Sequence, residues 1–220
     1  MESSIPPVEG SALALSVLRI GAGDKLQARD EECDALLYIF GGTGSLALGD
    51  ESFALDAGTA ALVLAGEEGT LTAGTIELAV VRVTAGADAD RHAPLGDRAI
   101  VVSAQEAGSE GATGARSFQV LFGPHNGSTR ATLFAGFIPP GKAPWHYHLY
   151  DEIVWVPDGP GRLHLASGVE ELGPGAAFRL HAREVHIVEN VGAAELAVVG
   201  LFTPAGSPSA AYLPAESQGR

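Results

Sequence analysis

Cysteine is almost missing from this chain. Cys33 is the single one among 220 residues, so no intrachain disulfide can form, which fits a reducing compartment. Basic residues are scarce too: 13 Lys and Arg stand against 27 Asp and Glu, a formal net charge of −14. Nucleic acids and anionic membranes both need a basic footprint, so neither is expected as a partner. No apolar run approaches the roughly 18 residues of a membrane span. The opening Met1-Glu2-Ser3-Ser4 lacks the basic start of a secretion signal, and the expectation is a cytoplasmic protein. No helical period runs through the first half, no glycine-rich stretch opens a helix to cradle phosphate, and no DNA-binding helix pair is visible.

What is present is a succession of short apolar runs between turns, with 29 Gly and 13 Pro to make those turns. Strands are expected over 13–20, 36–40, 52–55, 60–64, 69–72 and 76–83, then over 99–103, 118–122 and 131–138, with an irregular lead-in over 1–12 and a frayed end over 216–220. Short strands at close spacing indicate an all-β sandwich or barrel. An internal repeat sharpens this. Residues 37–48 lie over 154–165 with Gly42 on Gly159, and Gly58 falls on Gly175 at the same offset of 117 residues. After one extra residue in the second copy, Glu77-Leu-Ala-Val-Val81 matches Glu195-Leu-Ala-Val-Val199. Two copies of one β unit are therefore present, read as domains 1–98 and 99–220.

The second copy carries the chemistry. His146 and His148 are two apart and share a face of an extended strand. Glu152 falls on that face if the strand continues or bends once, and His186 must be brought in by the fold. Three imidazoles and a carboxylate make a mixed N/O donor set that suits Fe, Mn, Ni, Zn or Cu and poorly suits Ca or Mg. His-x-His, three residues, Glu152, six residues, Gly159, and later Gly175, His186, three residues, Asn190 resemble the two motifs of the cupin superfamily. With the repeat, the chain resembles a bicupin: two tandem jelly-roll barrels. The resemblance implies one divalent transition metal per chain, held by His146, His148, Glu152 and His186, with Glu152 also the candidate catalytic residue. Two departures concern turn shape. Gly141 lies one residue close to His146, and His181 and Arg183 stand where Pro and Gly are usual.

In the first copy the four ligand positions fall on Arg29, Glu31, Ala35 and Gly69, of which only Glu31 could ligate, so that barrel is expected to hold no metal. His92, His125 and His164 have no ligand spacing and are read as packing or surface residues, and His181 as part of a solvated loop. Trp145 and Tyr147 face away from the ligands by alternation, Asn190 is expected to bond backbone or a ligand carboxylate, and the apolar tail from Phe202 to Tyr212 is expected to serve as a cover or a partner contact.

The leading functional expectation is a metal-dependent dioxygenase acting on a small organic substrate. The alternatives are a non-redox isomerase, lyase or hydrolase of a small sugar or hydroxy- or keto-acid, and a small-ligand-binding protein without turnover. Pairing of two chains as a homodimer is left open. Because free imidazoles titrate near pH 6.5, metal affinity is expected to fall below that pH with uptake of more than one proton.

Overall fold

The computed structural model describes residues 4–5, 12–112 and 115–213. Most of the expected lead-in and the end at 216–220 lie outside them. Among the described residues the one helical element is a short 3-10 turn, Pro124–Asn126, and no helix is long and apolar enough to cross a membrane.

Four sheets form two barrels. In the first, one sheet runs Ser4–Ile5, Leu13–Ile20, Leu78–Ala85, Asp34–Gly41, Thr59–Val63 and Val101–Ser103, and the other runs Lys25–Gln27, Gly69–Ala73, Thr43–Leu48 and Glu51–Asp56. In the second, Glu110–Gly111, Ser117–Phe122, Thr132–Ile138, Leu196–Thr203, Asp151–Trp155 and Ala177–Leu180 face Gly141–Lys142, His186–Asn190, Gly161–Leu165 and Gly168–Leu172. The repeat thus extends to topology: Leu13–Ile20, Leu78–Ala85, Asp34–Gly41 and Thr59–Val63 stand in the same order as Thr132–Ile138, Leu196–Thr203, Asp151–Trp155 and Ala177–Leu180. The short strand Val101–Ser103, grouped by sequence with the second unit, instead pairs with Thr59–Val63 of the first. It extends the edge of that sheet, and the next strand, Glu110–Gly111, belongs to the second barrel.

The larger sheet of each barrel is buried on both faces, which is why its strands read as near-continuous apolar runs rather than alternating ones. Alternate residues divide between two cores. Leu13, Leu15, Leu36, Leu62 and Val83 of the first barrel meet Phe122, Leu133, Ile153, Trp155 and Leu201 of the second in one shared cluster. Their neighbours of opposite parity, Ala35, Leu37, Ile39, Val63 and Val80, fill the first barrel. Val154, Leu180, Val188 and Val198 line the second. The barrels therefore pack through apolar sheet faces. Alternation along Asp151–Trp155 sends Ile153 and Trp155 to the shared core, and so turns Glu152 into the second barrel's interior.

Candidate metal centre

His146 and His148 lie in an extended segment rather than a full strand. His146 forms an antiparallel bridge with His186, each backbone N–H donating to the other's carbonyl at 3.2 and 2.9 Å. That bridge closes a sequence gap of forty residues and brings the third imidazole to the first two. One ring nitrogen of each lies within 4.8 Å of the other two, and all three residues are buried.

The hydrogen bonds determine which nitrogen is available. Nδ1 of His146 lies 2.9 Å from the Pro144 carbonyl, Nδ1 of His148 3.1 Å from that of Ala210, and Nδ1 of His186 2.9 Å from that of Glu184. A carbonyl only accepts, so each Nδ1 carries the proton and each Nε2 keeps its lone pair. Backbone carbonyls orient all three rings in the manner metal-binding imidazoles require. Burial drives the same way: it pushes His146 down to about 4 and His186 to about 3, and lowers His148. The cluster is neutral at ordinary pH and can take a divalent transition metal ion.

Glu152 is 5% exposed, with Oε2 3.8 Å from His148 Nε2. It borders the cluster without joining the group of three whose nitrogens are mutually within reach. Burial pushes its carboxyl up to about 8, with the Arg116 charge pulling part of the way back. In the metal-free protein it therefore holds a proton at neutral pH.

Three features of the surroundings carry no spacing signature in the sequence. Tyr150 stacks on His148 with ring centroids 4.6 Å apart and on Phe202 at 4.0 Å, a column of rings that holds the imidazole in plane. Arg116, just ahead of the strand Ser117–Phe122, lines the same cavity. The tail crosses the mouth. Tyr212 and Tyr147 exchange backbone hydrogen bonds at 3.0 and 2.9 Å and stack their rings, while Pro208 and Ala211 line the cavity. Of the two roles expected for the tail, it takes the cover. The cavity has a volume of about 80 Å³.

The remaining residues fall where local reasoning put them. Asn190 clamps backbone, its amide donating to Ile138 and Ala194 carbonyls while its oxygen accepts from the Gly192 N–H. His164 pairs with Glu189 at 2.6 Å with the edge of Trp145 nearby, and His181 is exposed. In the first barrel, Arg29 makes surface ion pairs with Glu31 and Glu68, and Ala35 joins a filled apolar core. A Cβ on Gly69 would meet Val63 at 3.1 Å, so no room exists there for an imidazole.

Residues 135–202 match the cupin domain family. The chain has the bicupin fold, with its three-histidine cluster in the second barrel. Solved structures agree on architecture along nearly the whole length. AerE from Microcystis aeruginosa superposes with a TM-score of 0.74 at 12% identity, covering 92% of this chain and 96% of that one. The putative glyoxylate induced protein from Pseudomonas aeruginosa gives 0.76 at 16%, covering 91% and 79%. The Bacillus subtilis oxalate decarboxylase OxdC gives 0.69 at 14%, covering 88% and 69%. No curated protein matches this bicupin in sequence.

Proposed function

We propose that the protein is a metal-dependent enzyme of non-redox type, an isomerase, lyase or hydrolase of a small sugar or hydroxy- or keto-acid. His146, His148 and His186 would hold the ion, with Glu152 as the fourth donor. The observation that carries this reading is the conjunction of three inward-facing neutral imidazoles with a buried carboxyl whose Oε2 lies 3.8 Å from His148 Nε2. A divalent ion bound there supplies Lewis-acid polarisation of a substrate oxygen. Glu152 is the group able to hold or move a proton at its carboxylate oxygen beside a bound substrate: burial favours its protonated form, and a bound ion would favour the carboxylate. Apolar walls and the tail residues Pro208 and Ala211 border the same space. This proton chemistry favours the non-redox alternative over the dioxygenase expected first, and the likeness in fold to an oxalate decarboxylase, a lyase by its name, leans the same way.

The test is turnover with and without O₂. Protein loaded in turn with Mn, Fe, Ni, Zn or Cu is incubated with small hydroxy-acids, keto-acids and sugars, and products are followed by NMR. Turnover that persists under anaerobic conditions and disappears in the His148→Ala variant is the expected result. Product formation that consumes O₂ in proportion would restore the dioxygenase reading.

A further inference from the structure

The cavity lining brings His146, His148, His186, Glu152, Tyr150 and Arg116 together. Phe118, Phe134 and Phe178 line the cavity beside them, the first two in one cluster with Tyr150 and Phe202. Among the described residues that line it Arg116 is the one guanidinium, and its charge is felt at Glu152, Tyr150 and all three histidines. A half-buried guanidinium with a fixed fork of donors matches a carboxylate better than it matches an alcohol. The walls discriminate as well. A sugar in this space would turn hydroxyls towards phenylalanine rings, and each hydroxyl left without a partner costs about 1–3 kcal/mol.

We propose that Arg116 anchors the carboxylate of a small keto- or hydroxy-acid whose remaining body is apolar, so that the acid's second oxygen faces the histidine cluster and its hydrocarbon part lies against Phe118, Phe134 and Phe178. The inference rests on the function proposed above and narrows it: of the two substrate classes, it selects acids and excludes sugars. Arg116 here is a specificity-determining residue that touches substrate, and binding alone reports on it.

The experiment is calorimetric titration of the zinc-loaded protein with α-ketoisocaproate, pyruvate, methyl isobutyl ketone and glucose. These present, in turn, the carboxylate with an apolar body, the carboxylate with little body, the body without the carboxylate, and a polyol. The keto-acid with the apolar body is expected to bind tightest. Arg116→Gln is expected to weaken it by about tenfold or more, the loss of a charge-assisted hydrogen bond, with the neutral ketone unchanged. Arg116→Lys should recover part of the loss. Metal content and circular dichroism establish that each variant is folded and loaded. Glucose binding tighter than α-ketoisocaproate, or a loaded Arg116→Gln protein binding the acid as well as the wild type, overturns the proposal. So does a wild-type protein that binds the ketone as well as the acid, a comparison that needs no variant. Because no turnover enters, binding in the expected order from a protein that forms no product would sink the enzymatic reading and leave the role of Arg116 standing.

Discussion

At the scale of single residues, burial rewrites the acid–base behaviour that the side chains would show in isolation. Histidines titrating near 6.5 would bring steep proton competition below that pH, but desolvation holds His146 at about 4 and His186 at about 3, while Glu152 rises to about 8. The group that must change protonation to take an ion is therefore the carboxylate. Calorimetry in buffers of different ionisation enthalpy should show release of about one proton per ion between about pH 5 and 7, and Glu152→Gln should abolish that release. Release of several protons near pH 6 would mean the imidazoles are charged in the folded protein. Stability of the metal-free protein follows from the same shifts. The histidines, depressed on folding, contribute stability that is present above about 6.5 and lost as pH falls towards 4. Glu152, raised on folding, contributes stability that is present below about 4.5 and lost as pH rises through 8. Below about 6.5 three imidazoles outweigh one carboxyl, and above it the carboxyl acts alone, so thermal denaturation should show these groups' joint optimum between about pH 6.5 and 7. His146, His148 and His186 were legible in the sequence because alternation and fixed spacing mark them. Arg116 was not, because a lone arginine in a connector acquires meaning only from the cavity it enters.

At the scale of elements, the turn before His186 keeps its shape with an unusual residue. Gly66 in the first barrel has φ +82°, and Arg183, its counterpart in the repeat, has φ +69°. Arg183 is the one non-glycine residue with positive φ among those described, and its N–H donates to the His148 carbonyl at 2.6 Å. The departure from the family pattern seen in the sequence thus leaves the backbone path unchanged and strains one residue. Arg183→Gly is expected to raise stability by roughly 0.5–1 kcal/mol, relief of the left-handed strain outweighing the extra entropy of glycine, with metal content unaltered. A lowered melting temperature would show that the arginine side chain has a structural role. The tail is the element the sequence described least well. Its apolar character was plain, but its partners Tyr147, His148 and Tyr150 lie about sixty residues upstream with no periodicity to link them. Removing residues 207–220 should leave β-type circular dichroism in place and weaken metal affinity by about 10- to 100-fold, since the Ala210 carbonyl orients a ligand. Unchanged affinity in the shortened protein would refute that role.

At the scale of the whole molecule, two barrels share a core that neither owns. The repeat disclosed the duplication, while the packing shows only in the structure, where the central strands are buried on both faces. The cross-links between the barrels were not visible, because they depend on chain paths through loops. The connector hydrogen-bonds to the second barrel's loop, Leu95 N–H to the Pro124 carbonyl at 2.8 Å and Ala99 N–H to that of Asn126 at 3.0 Å, before Val101–Ser103 returns to the first barrel. Arg130 of the second barrel donates to the Glu32 carbonyl at 2.6 Å and lies 3.5 Å from buried Asp34. Leu133→Ala, at a fully buried position in the shared cluster, should cost about 2–5 kcal/mol, and differential scanning calorimetry should show both barrels unfolding in one transition at the lowered temperature. Two separated transitions would mean that the barrels are independent. One consequence concerns how such a molecule is made. His148 is fixed in its ligating tautomer by a carbonyl 62 residues further along. In a chain synthesised from its N-terminus the first barrel, which needs no ion, can be finished early and offer its apolar face as a template for the second. The centre itself matures last, once residue 210 has left the ribosome and folded back onto His148.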